Sequence, residues 1–62
     1  MVAYFPVSSV EPGDLCWFDF HGEVLPVEVL FVGKKENVEI VLLTGKNCFF
    51  VEKNKLMVRR YR

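Results

Sequence analysis

The chain reads as an all-β protein, a small barrel of five short strands. Three observations predict this. The apolar segments are rich in Val, Ile, Leu and Phe, and each is too short for a typical helix. Turn residues occupy the gaps between them, and no stretch shows a helical period. The clearest pair of segments is 24–32 and 38–43, which flank the polar sequence Gly-Lys-Lys-Glu-Asn at 33–37 and form a β-hairpin.

Residues 1–10 form an extended lead-in, because Phe5 before Pro6 is pushed towards β or polyproline conformation. Pro12-Gly13 marks a turn within 8–14. Leu15–Phe20 is the first barrel strand, and alternation places Cys16, Phe18 and Phe20 on one face. Leu15, Trp17 and Asp19 take the other face. His21-Gly22-Glu23 is a tight connection in which glycine supplies positive φ.

In the second strand Val27 and Val29 point inwards, and Pro26 is expected at an edge or strand start because it cannot donate. The unbroken run 29–32 ends strict alternation and predicts a bulge or burial on both faces. The third strand sets Val38, Ile40 and Leu42 inwards, with Glu39, Val41 and Leu43 on the more exposed side. A turn at 44–47, a fourth strand at 48–51 and a 3₁₀ turn at 52–55 follow. Residues 56–58 close the sheet, so the barrel occupies 11–58 and a basic end runs off it at 59–62.

With the strands in that order, the chain resembles a Tudor domain, a branch of the SH3-like barrels. The matching pieces are Pro12-Gly13-Asp14-Leu15-Cys16, Leu25-Pro26-Val27-Glu28-Val29, the sequence IVLLTG at 40–45, and Lys55-Leu56. The resemblance implies a five-stranded SH3-like (Tudor-like) barrel. It also implies an aromatic cage for a methylated cation, whose positions would fall on Phe20, Leu25, Leu43 and Lys46, with a polar helper near Asn47. Only Phe20 of these is aromatic, and Lys46 sets a like charge where the cation would sit. The resemblance therefore brings the barrel without the methyl-binding cage.

Composition bounds the function. A chain of 62 residues buries only about 60% of the surface it exposes when unfolded. Yet 52% of this one is hydrophobic, with six Phe, two Tyr and one Trp. An apolar patch is expected to remain outside, as a partner site or a self-association surface. Eight basic residues balance eight acidic ones, but they are segregated. Glu11, Asp14, Asp19, Glu23 and Glu28 precede every Lys and Arg, so the folded surface is dipolar.

Two cysteines, Cys16 and Cys48, are too few for a secreted disulfide scaffold and are expected as free thiols. Residues 1–10 lack the basic and apolar regions of a secretory leader, and the apolar runs are far short of a membrane span. A cytoplasmic location is expected, with no membrane partner.

Chemistry-bearing residues are sparse. Cys16, His21 and Asp19 are the set for nucleophilic catalysis, but Cys16 belongs to the inner face and His21 to a turn. Cys16, Cys48 and His21 lack the paired spacing of a zinc site. No enzyme activity, metal, cofactor or small-molecule substrate is expected. The rings are more informative, because Trp17, Phe31, Phe49, Phe50 and Tyr61 exceed what one small core holds. The expected function is a non-catalytic module that binds a protein partner or a second copy through Trp17, Phe20, Leu43, Phe49, Phe50 and Tyr61. The alternative is a nucleic-acid-binding barrel using Lys46, Lys53, Lys55, Arg59, Arg60 and Arg62, with Tyr61 able to stack on a base.

Overall fold

The hairpin read from 24–43 sits at the centre of a single antiparallel sheet. The computed structural model describes residues 1–61, which form strands β1 (Val2–Pro6), β2 (Leu15–Phe20), β3 (Glu23–Val32), β4 (Asn37–Leu42), β5 (Cys48–Glu52) and β6 (Met57–Tyr61). Two 3₁₀ turns, Lys34–Glu36 and Lys53–Lys55, join β3 to β4 and β5 to β6. The strand order is β1-β6-β2-β3-β4-β5, and the sheet does not close on itself.

The all-β class stands, and the strand count is corrected from five to six. The lead-in is extended, as Pro6 requires, but it also pairs with β6 from Val2↔Tyr61 to Pro6↔Met57. That pairing lengthens the final strand. Arg59 and Arg60 lie inside β6 instead of running off the sheet. Arg62 lies outside the described residues.

Local chemistry explains the turns. Asp14 N–H donates to the Glu11 carbonyl at 3.1 Å across Pro12-Gly13, and Gly13 takes φ of 95°, the combination a Pro-Gly turn favours. The two-residue loop between Phe20 and Glu23 has φ of 54° at His21 and 96° at Gly22. Positive φ at both positions gives the twist that matches flanking strands. Asp19 Oδ1 accepts the Gly22 N–H at 2.6 Å and holds the tip.

The inner face carries the core. Val27, Val29, Val38, Ile40 and Leu56 are fully buried, with Val7 and Cys16 beside them. Val10, Phe18, Phe20, Leu42, Val51 and Val58 pack against this cluster. The face assignments of the first three predicted strands hold, including Cys16, Val27, Val29, Val38, Ile40 and Leu42 inwards. A register shift between Val29 and Phe31 supplies the predicted bulge. Leu30, Phe31 and Val32 beyond it are exposed, so burial on both faces does not occur there.

Pro26 stands inside β3, between β2 and β4, and not at a sheet edge. Its carbonyl accepts the Leu43 N–H at 3.4 Å, just past the end of β4. In an extended strand a residue's N and O face the same neighbour. The missing donor of Pro26 therefore faces Leu43, whose carbonyl forgoes the reciprocal ladder bond, and the regular pairing of β3 with β4 stops at Val27↔Leu42.

Candidate interaction surface

Cross-strand register decides which side chains share a side of the sheet. On the outer side, Trp17 stands opposite Pro26, which the Leu43 N–H also reaches. A second row runs Leu15, Glu28, Val41, Cys48, and a third runs Phe31, Glu39, Phe50. Strand β3 thus bridges strands that are not neighbours, and Pro26 connects what would otherwise be two separate apolar patches. Along this surface Leu15 is 65% exposed, Phe50 64%, Phe31 54% and Leu43 48%. Two carboxylates, Glu28 and Glu39, are set among them. Among the described residues neither carboxylate has an ion pair.

Trp17 does not stand free as alternation alone suggested. It is half-buried, with the Tyr4 ring edge-on at 5.8 Å and the Arg59 guanidinium 4.1 Å from its ring centre. Arg59 also lies 5.4 Å from the centre of the exposed Tyr61 ring. The covering residues come from β1 and β6, whose pairing the sequence did not reveal. Trp17 is thus a packed ring under a cation, while Tyr61 remains at the surface.

The other predicted rings divide between the faces. Phe20 packs on the inner side against Phe18 at 4.7 Å and Phe49 at 5.9 Å. Phe49 remains 38% exposed because β5 is an edge strand with no further neighbour. Phe50, next in sequence, points to the outer side opposite Glu39. The predicted set Trp17, Phe20, Leu43, Phe49, Phe50 and Tyr61 therefore forms no single site. Phe31, counted among the surplus rings but not assigned to that set, joins Phe50 on the outer face. Strict alternation could not place it, because the bulge at Leu30 resets the pattern.

The basic residues are likewise dispersed. Lys53 Nζ donates to the Ser8 carbonyl at 3.2 Å and pairs with Glu36 at 3.5 Å, tying both 3₁₀ turns to the lead-in. Arg59 and Arg60 are successive strand residues and so face opposite sides. Arg60 lines an open groove with Phe5, Val7 and Val58. Lys46 lies in the β4–β5 turn and Lys55 in the second 3₁₀ turn.

Cys16 and Cys48 are both free thiols. Burial, and then the nearby Asp14 carboxylate, push the Cys16 thiol above its ordinary value, which disfavours the nucleophilic thiolate. His21 is exposed at the β2–β3 tip. Among the described residues no three His, Cys, Asp or Glu side chains gather as metal ligands would, and no helix is long and apolar enough to cross a membrane. No protein-family model, curated protein or solved structure matches this chain.

Proposed function

We propose that this protein is a non-catalytic interaction module whose ligand is another protein surface. One observation carries the reading: Leu15, Phe31 and Phe50 remain exposed on the same side of one sheet, with exposed Leu43 in the turn that follows β4. Apolar residues scattered over a surface are ordinary, whereas large ones gathered on one side of a sheet and interleaved with carboxylates suit a docking face. Glu28 and Glu39 within it call for Lys or Arg on the partner, so the matching surface is apolar with basic points. The free thiols are consistent with a reducing, cytoplasmic setting.

Strands β2–β6, with a 3₁₀ turn ahead of the last, support a Tudor-like (SH3-like) strand arrangement that stays open and to which β1 adds a sixth strand. The module then acts through its sheet face, since the cage positions of that family are not retained.

The test is capture of a protein by the immobilised wild-type chain, repeated with Leu15→Ser and Phe31→Ser. Capture is expected to fall in both variants while their melting temperatures stay close to wild type. Unchanged capture in both removes the outer face from the site. A steeply salt-dependent gel shift, lost when Arg59, Arg60 and Arg62 become Ala, would instead assign nucleic acid as the ligand.

A further inference from the structure

We infer that β5 is a self-pairing edge, and that a second copy of this chain adds its own β5 antiparallel to it about a two-fold axis at Phe50. This rests on the docking reading above and names a partner for one margin of that surface. The two edges of the sheet differ in how they are guarded. Strand β1 ends in Pro6 and is backed by the arginines of β6. Strand β5 has one neighbour, no proline and no lysine, and its ladder with β4 runs without a bulge from Asn37↔Glu52 to Val41↔Cys48. Charge, proline, bulges and covering segments are how edges avoid pairing, and the stretch Cys-Phe-Phe-Val at 48–51 uses none of them.

Register selects the second copy as occupant. A two-fold axis normal to the sheet keeps inner residues opposite inner ones and outer opposite outer. Centred on Phe50, it uses all of β5. Phe50 meets Phe50 of the second copy on the outer side, and Phe49 meets Val51 on the inner side. This covers the exposed Phe49 edge and extends both cores. Cys48 lies opposite Glu52, so the turn that carries Lys46, just ahead of Cys48, comes to the same end of the new ladder as Glu52 of the other copy. The only charges on the strand and its preceding turn are thus of opposite sign where they meet. The result is one continuous sheet with both outer faces on the same side.

Light scattering across a concentration series should show a dimer, and the β5 amides should exchange more slowly as concentration rises. Phe50→Lys sets like charges opposite each other on the axis and should weaken the dimer on the order of tenfold or more. Leu15→Ser, far along the outer face, should leave the dimer intact. In a Cys48→Ser background, Phe50→Cys should form a covalent dimer under mild oxidation, since the axis brings that position to itself. A monomer at millimolar concentration overturns the inference, as does a dimer indifferent to Phe50→Lys or a Phe50→Cys chain that fails to cross-link. Loss of self-pairing with Leu15-dependent capture retained leaves the docking reading standing. A β5 dimer whose capture ignores Leu15 and Phe31 does the reverse.

Discussion

Trp17 and Phe50 stand on the same outward side of one sheet, and the chain covers the first while leaving the second bare. Tyr4 and Arg59 lie over Trp17, supplied by the strand pair that joins the two ends of the chain. Phe50 has Glu39 beside it and an unpaired edge beyond. Aromatic rings on one side of one sheet therefore give a stabilising contact on an inner strand and an exposed ring on the edge strand. What separates them is that β1 and β6 set Tyr4 and Arg59 against Trp17, whereas β5 has a neighbour on one side only.

The inner face beneath both ends sets the scale. Ile40→Ala removes a fully buried side chain and should cost about 2–5 kcal/mol, comparable with the whole stability of a domain this small. A urea melt reads it, and a midpoint close to wild type would invert the face assignment. Trp17→Ser should cost about 1–3 kcal/mol, less than a fully buried ring because Trp17 is half-exposed. At a concentration low enough for the chain to be monomeric, Phe50→Ser should shift the same melt by no more than about 0.5 kcal/mol. Equal losses for the two would erase the distinction between covered and bare ends.

Arg59→Ala sharpens the covered end alone. It removes the cation over Trp17 and should cost about 0.5–1 kcal/mol, seen as a small drop in melting temperature with changed Trp fluorescence. The smallest effect is at Cys16. Its folded-state pKa is raised, so the native state keeps a proton that the unfolded chain releases. The contribution is whole below the ordinary value of 9.0 and is lost as pH rises through the folded pKa. Cys16→Val should flatten the alkaline decline of stability relative to wild type, measured by melts across that window.

Legibility followed the range of the interactions. Strand faces, the Pro12-Gly13 turn, the His21-Gly22 loop and the bulge after Val29 are local, and periodicity and turn chemistry identify them. The coverage of Trp17 is not local, because Tyr4 and Arg59 are distant in sequence and meet it only through the β1–β6 ladder. The lead-in carried an extended signal at Pro6 but no signal for its partner. Phe31 was visible as a surplus ring, yet one extra residue at the bulge moved it out of the reach of simple alternation. The basic residues read as a group in the sequence, and Lys53 shows why they separate: its charge is occupied by Ser8 and Glu36.

The position of β6 between β1 and β2 has a kinetic consequence. β6 follows the other described strands in the sequence yet slots between β1 and β2, so the β1 ladder starts only once Met57 has been synthesised to stand opposite Pro6. Until then Trp17 and Tyr4 belong to strands with nothing to hold them side by side. Closing a loop that spans nearly the whole chain is entropically costly, and contacts so distant in sequence slow folding. The hairpins of β2, β3, β4 and β5 can form earlier, from neighbours. A growing chain therefore displays both ends of its outer face, and docking of β6 withdraws one of them.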